Sequence, residues 1–147
     1  AGKTSVARRL ARTCGVASVD MDTYIERREG KKVKEIFAEG GETAFRRLET
    51  EALRELRKRP GIILSTGGGC VTRSENYPLL HQNGTIFWLL RSPWKLPSDG
   101  RPLSQAESAE AMYSRREPMY RRFVDVKIDN EGAMERAVEA IARKVLL

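Results

Sequence analysis

Ile62-Ile63-Leu64-Ser65-Thr66-Gly67-Gly68-Gly69 is a short apolar run that empties into three consecutive glycines. Three aliphatic residues with no polar alternation describe a strand covered on both faces, as in a parallel sheet. Three glycines in a row cost chain entropy and offer no side chain to pack. Their use is close approach, by a ligand or by another backbone; a flexible turn is the plainer alternative. Pro60-Gly61 separates the strand from what precedes it.

Working upstream, Glu42 to Lys58 is the clearest helix, with a break at Gly40-Gly41 before it. Tyr24 to Arg28 and Val33 to Ala38 read as two short helices separated by Gly30. Ala17 to Val19 is a short strand closed by Asp20-Met21-Asp22. Ser5 to Thr13 carries Val6 and Leu10 with Ala7 and Ala11 beside them, an amphipathic helix ended by Gly15. Downstream, Glu75 to Gln82 is a short helix or turn with Pro78 in its first turn, and Thr85 to Leu90 is a second buried strand. Arg91 to Arg101 reads as a loop, and Ser104 to Glu117 as a helix with Pro118 near its end. Val124, Val126 and Ile128 alternate as an edge-like strand; Met134, Ala137, Val138, Ile141, Ala142 and Val145 recur at helical spacing. Strands alternating with helices predict an α/β domain with a mainly parallel sheet. Ligands in such sheets sit at the carboxyl ends of the strands, which singles out Asp20, Asp22, Gly67 to Gly69 and the loop after Leu90.

Composition narrows the function classes. At 147 residues, 40% hydrophobic and 32% charged, the chain has material for one globular core. The longest strongly apolar stretch, Ile86 to Leu90, is far too short to cross a bilayer. Cys14 and Cys70 form no metal-ligand pattern and read as small packing residues in a reduced compartment. A formal charge of +7 attracts anions. The basic residues are interleaved with acids, and no stacking aromatics accompany a basic stripe, so a nucleic-acid partner is not expected.

Several motifs carry chemistry. Ala1-Gly2-Lys3-Thr4 matches the last half of the phosphate-binding pattern G-x-x-x-x-G-K-[ST], in which the Lys reaches phosphates and the hydroxyl meets Mg²⁺. An ordinary helix start capped by Thr4 or Ser5 is the alternative. Asp20-x-Asp22 follows a strand and could hold Mg²⁺ through water and accept a proton; a solvated turn with Asp22 as helix cap is the alternative. On the helix from Glu42, at about 100° per residue from Phe45, Leu48, Ala52, Leu53 and Leu56 form the apolar stripe. Glu49 falls at about 40° and Glu42 at about 60°, inside it, and Arg46 at about 100°, on its margin. A carboxylate on that face needs a partner, and Arg46 is one turn away from Glu49. The pair is either structural or an arginine held rigidly to grip a carboxylate. Arg101-Pro102-Leu103 and Arg116-x-Pro118-x-Tyr120 complete the set; each arginine alone reads as surface charge, as does the lone His81.

In this order the motifs resemble the shikimate kinases, small P-loop kinases of the nucleoside-monophosphate-kinase type. The matching residues are Gly2-Lys3-Thr4, Asp20-Met-Asp22 with Ile25-Glu26, Ile36-Phe37, Gly41-Glu42 with Phe45-Arg46 and Glu49, Gly67-Gly68-Gly69, Arg101-Pro102-Leu103 and Arg116-x-Pro118-x-Tyr120. The resemblance implies a three-layer P-loop sandwich, one domain over 1–147, with a mobile lid around 91–103. It implies ATP-dependent phosphorylation of the 3-hydroxyl of shikimate on the way to chorismate and the aromatic amino acids. Residue by residue, Gly2, Lys3, Thr4 and Ser5 would hold ATP, with Lys3 on the phosphates. Thr4, Asp20 and Ser65 would serve Mg²⁺. Asp22 would bind the shikimate hydroxyls and act as base. Arg46 and Arg116 would grip the carboxylate, Glu49 would support Arg46, Gly67, Gly68 and Gly69 would contact the ring, and Arg101 would reach the transferring phosphate. A cytoplasmic monomer is expected, with ATP and shikimate as its partners and no membrane. The resemblance also implies a strand and the first half of the P-loop ahead of Ala1, and a longer lid with further arginines. A chain truly lacking these could not bind ATP normally. That is the competing expectation: a catalytically inactive, shikimate-kinase-like binding or regulatory domain.

Overall fold

Val6, Ala7, Leu10 and Ala11 are the buried stripe of α1 (Lys3–Cys14), as the spacing predicts. The structure, a computed structural model, describes residues 3–59, 61–82, 84–90, 108–129 and 134–146. Of Lys3 and Thr4 it describes only the backbone, which lies in the first turn of α1. β1 (Ala17–Asp20) leads directly into α2 (Met21–Glu29), which Gly30 closes in the left-handed conformation at φ 69°. α2 therefore starts three residues earlier than the sequence suggests, because Asp20 caps it: Asp20 Oδ2 accepts from the Thr23 backbone N–H at 3.0 Å and from the Thr23 hydroxyl at 2.9 Å. Asp22 is not the cap; it lies inside the first turn.

α3 (Val33–Leu56) unites the two helices expected on either side of Gly40-Gly41. The break is real: Gly41, at φ 73° and ψ −173°, is not helical, and two helices meet at a kink there. The helix ends at Leu56 rather than at Lys58. β2 (Ile62–Ser65) runs into a single 3-10 turn, Gly68–Thr72, followed by α4 (Asn76–His81) and β3 (Phe87–Leu90).

α5 (Ala109–Phe123) begins at Ser108, whose hydroxyl accepts from the Ala111 N–H at 3.0 Å, and continues through Pro118. Pro118 sits inside the helix instead of near its end; it lacks the N–H that would otherwise bond one turn back, yet the last turn is retained. β4 (Val126–Asp129) and α6 (Met134–Leu146) close the chain.

β1 pairs with β2 and β3 with β4, both in parallel. Side chains along β2 alternate. Ile62 and Leu64 join a core with Met21, Ile25, Phe45 and Leu53, under α2 and α3. Ile63 joins a second core with Val6, Leu10, Ala137 and Ile141, under α1 and α6. Helices thus cover both faces of the strands, giving three layers. Between β2 and β3 lies a cleft of about 620 Å³ lined by apolar residues including Leu10, Ile63, Leu64, Phe87 and Leu89. Among the described residues, the strands form two separate pairs on either side of it. No described helix is long and apolar enough to cross a membrane.

Candidate active site at the strand ends

Asp20 and Ser65 are the last residues of β1 and β2 and stand opposite each other in the ladder. Parallel pairing therefore delivers one carboxylate and one hydroxyl to the same end of the sheet, beside Thr66-Gly67-Gly68-Gly69. Ser65 is buried. Asp22, two residues beyond β1, is half-buried in the first turn of α2, where the helix dipole favours a negative charge.

α3 contributes the second group. Phe45, Ala52, Leu53 and Leu56 are buried, and with them Glu49, which is wholly inaccessible, and Arg46. Arg46 Nη1 donates to Glu49 Oε1 at 3.0 Å; its Nη2 and Nε donate to Glu42 Oε2 at 3.1 and 3.2 Å. Burial works against the guanidinium charge, but Glu49 and Glu42 outweigh it and raise the Arg46 pKa above its ordinary value. The cation is permanent, and its fork is fixed from two sides.

The glycines explain themselves against this arginine. A Cβ on Gly69 would stand 2.1 Å from Arg46 Nη2. A Cβ on Gly68 would stand 2.8 Å from the Tyr120 hydroxyl and 3.4 Å from Arg116 Nη1. Close approach is what these positions serve, but what approaches is three side chains, Arg46 from α3 and Arg116 and Tyr120 from α5. Arg116 and Tyr120 share a face of α5 because they are four residues apart. Arg116 is buried, and its Nε has no hydrogen-bond partner among the described residues. Reading Arg116 as surface charge is thereby overturned: the α5 face it occupies is set by packing on the turn, which no local pattern reveals.

The structure thus brings Asp20, Asp22, Ser65, Gly67, Gly68, Gly69, Arg46, Glu49 and Arg116 to one end of the fold. Ser5 is exposed in the first turns of α1. Gly2, Arg101 and the lid around 91–103 lie outside the described residues, as do the side chains of Lys3 and Thr4. His81 is exposed, stacks on Tyr77 with ring centroids 5.0 Å apart, and stays clear of the site. Cys70 is buried beside the turn, and burial, reinforced by Glu49, pushes its thiol pKa far up, so it is a packing residue and no nucleophile. Sequence reasoning missed Thr50 and Asn76. Both are fully buried and hydrogen-bonded to each other at 2.7 Å. Thr50 lies one position beyond Glu49 on the helix, and an Asn opening a short helix reads as an exposed cap, so neither carried a signal.

Comparison with known proteins gives the family. The family model described as "Shikimate kinase" matches residues 1–146. The chain belongs to the shikimate kinase family. The shikimate kinase of Moorella thermoacetica is 38% identical over 152 residues, covering 98% of this chain and 86% of its own. That of Cupriavidus pinatubonensis is 41% identical over 138 residues, covering 88% and 72%. A solved shikimate kinase from Acinetobacter baumannii, in complex with shikimate, superposes with a TM-score of 0.85 at 33% identity, over 99% of this chain and 84% of that one. The Aquifex aeolicus enzyme superposes with a TM-score of 0.84 at 26% identity, over 99% and 90%. The fold is accordingly the P-loop, nucleoside-monophosphate-kinase type. The activity is ATP-dependent phosphorylation of shikimate, a step of aromatic amino acid biosynthesis.

The donor set also bears on the metal that such kinases generally use. A carboxylate and a hydroxyl, Asp20 and Ser65, stand side by side at the strand ends. The described residues contain no group of three or more metal-ligating side chains. A carboxylate beside a hydroxyl is an oxygen donor set, the kind that hard cations such as Mg²⁺ take.

Proposed function

We propose that this kinase reads the carboxylate of shikimate with Arg46 and Arg116 and activates the 3-hydroxyl with Asp22. The observation that carries this reading is the convergence of the two arginines on Gly68 and Gly69, with Arg116 Nε buried and lacking a partner among the described residues. A buried guanidinium costs several kcal/mol unless an anion reaches it, on the order of the penalty for any buried ion. Arg46 already has two carboxylates, so a ligand carboxylate finds its most rewarding contact at Arg116, with Arg46 as a pre-set second prong. The ring lies beside Gly67, Gly68 and Gly69, against which the two arginines pack.

Asp22 stands at the carboxyl end of β1, where it would accept the proton of the attacking hydroxyl. Mg²⁺ would be held by Thr4 directly and by Asp20 and Ser65 through water, and when bound it neutralises phosphate charge. Lys3 holds the phosphates at the start of α1, with Gly2, Thr4 and Ser5 completing the ATP site. Arg101 belongs to a lid around 91–103 that excludes water and reaches the transferring phosphate. Residues 1–147 act as a single shikimate-kinase-like domain. The enzyme acts as a cytoplasmic monomer.

Calorimetric titration tests the reading. Arg46→Lys keeps the charge and loses the fork, so shikimate binding should weaken by about 1.5–3 kcal/mol, the range for charge-assisted hydrogen bonds. Binding of a nucleotide analogue should be unchanged. Equal loss for both ligands would show that Arg46 is structural.

A further inference from the structure

The Arg46 guanidinium fits against Gly69 with no room to spare, since a single added carbon there would sit 2.1 Å from Nη2. α3 therefore approaches the Gly68–Thr72 turn closely, and other contacts must set that approach. The contacts that do so run through two fully buried polar side chains. Asn76 Nδ2 donates to the Cys70 carbonyl at 2.8 Å, and Asn76 Oδ1 accepts from the Thr50 hydroxyl at 2.7 Å. The same hydroxyl lies 3.1 Å from the Arg46 carbonyl, one helical turn back. Asn76 thus ties α3, at Thr50 one turn beyond Arg46, to the backbone of Cys70, the residue after Gly69.

The chemistry of each link is determined. A carbonyl can only accept, so the amide nitrogen of Asn76 must face Cys70 and its oxygen must face Thr50. Thr50 has one hydroxyl proton and two acceptors within reach, and the shorter contact, to Asn76, takes the larger share. On its far side the turn is closed by the Thr72 hydroxyl donating to the Gly69 carbonyl at 2.6 Å. Asn76 is 0% and Thr50 2% exposed, so no water substitutes for a lost partner.

We propose that Thr50 and Asn76 are positioning residues for shikimate recognition: they hold the glycine turn at the height at which Arg46 and Arg116 can engage one carboxylate together. Neither side chain touches substrate; they act through Arg46 and the turn. This rests on the reading of Arg46 as a carboxylate-binding residue, so the experiment carries an arm for that reading.

The test compares Thr50→Val, Thr50→Ser, Asn76→Ala and Arg46→Lys by steady-state kinetics with ATP and shikimate varied separately, and by thermal denaturation. Thr50→Val leaves Asn76 Oδ1 without its hydroxyl donor, while Thr50→Ser retains the hydroxyl; the Arg46 carbonyl keeps its helical N–H partner in both. The expected result is that KM for shikimate rises about 5–10-fold in Thr50→Val and Asn76→Ala, the scale of one net hydrogen bond, with KM for ATP unchanged. Thr50→Ser restores the shikimate KM to within about 2-fold, inside the usual spread for single interactions. If Asn76→Ala does not fold, the Thr50 pair carries the test alone. A lower melting temperature in Thr50→Val with an unmoved shikimate KM, while Arg46→Lys raises it, would overturn the positioning role and leave the arginine reading intact. An unmoved shikimate KM in Arg46→Lys would overturn both.

Discussion

Arg46 Nη2 occupies the space that a side chain on Gly69 would need, 2.1 Å from the Cβ position. The arginine and the glycine are two halves of one feature: the turn is bare because the guanidinium lies on it. Gly69→Ala must displace Arg46 and strain its bonds to Glu42 and Glu49. The expected loss is about 1–3 kcal/mol of stability, typical of overpacking, with a shikimate KM at least about tenfold higher. Gly68→Ala meets the Tyr120 hydroxyl and the edge of Arg116 at longer range and should cost less. Denaturant unfolding and shikimate titration of the two variants check the order.

Glu49 is wholly inaccessible and bound to Arg46, so the two substitutions of the pair are not equivalent. Arg46→Ala strands a buried carboxylate and should cost roughly 3–5 kcal/mol, the range for breaking a buried ion pair from one side. Glu49→Gln removes the negative charge but keeps an oxygen that can accept from Arg46. It should cost less stability, and it should weaken shikimate binding less than Arg46→Lys does. Chemical denaturation alongside calorimetry separates the two effects.

Half of this arrangement is legible in the sequence. Glu49 and Arg46 fall on or beside the apolar stripe of Phe45, Ala52 and Leu56, because helical period alone places them there. The triple glycine signals close approach for the same local reason. What approaches it is invisible, since the facing of Arg116 and Tyr120 depends on how α5 packs on the turn. Pro118 reads as a helix end because its missing N–H breaks one bond; tertiary contacts of Arg116, Tyr120 and Phe123 carry the helix past it. Likewise the choice between Asp20 and Asp22 as cap turns on where α2 starts, at Met21 and not at Tyr24. Thr50 and Asn76 meet across 26 positions of chain, a pairing that no periodicity announces.

Asp20 combines two roles that substitution can separate. As the cap of α2, its loss to Ala should cost about 0.5–2 kcal/mol. Asn caps as well as Asp does, so Asp20→Asn should keep the melting temperature while raising the Mg²⁺ concentration needed for half-maximal activity. Thermal melts and a Mg²⁺ titration of activity, run on both variants, check this. An unchanged Mg²⁺ requirement in Asp20→Asn would confine Asp20 to capping.

Cys70 gives a pH signature. Its thiol pKa is raised in the folded protein, chiefly by burial, above the ordinary value of 9.0. The folded state therefore favours the neutral thiol. That contribution is fully present below pH 9 and is lost progressively as pH rises beyond it, when the unfolded chain ionises first. Native protein should react with an aromatic disulfide reagent at Cys14, which is half-buried, and not at Cys70 until it is denatured. Cys70→Ala should flatten the fall in stability above pH 9. Thiol titration in native and denaturing buffer, with melts from pH 7 to about 10, checks both statements.

Asp22→Asn keeps the shape of the side chain and removes its basicity, so kcat should fall by at least ~10²-fold, the lower scale for loss of a general base. Shikimate KM should change much less. A coupled ADP-release assay reads both, and a fall confined to KM would reduce Asp22 to a binding group.

The central claim is that Arg46 and Arg116 recognise the substrate's carboxylate from the glycine turn. Its most direct test is a titration of wild type, Arg46→Lys and Arg116→Lys with shikimate and with the corresponding carboxamide, which has the same ring and hydroxyls but no negative charge. Wild type should bind the carboxamide more weakly by about 1.5–3 kcal/mol, and both variants should lose affinity for shikimate while binding the carboxamide as wild type does. Variants that lose equal affinity for both ligands, or that bind shikimate undiminished, would contradict the account.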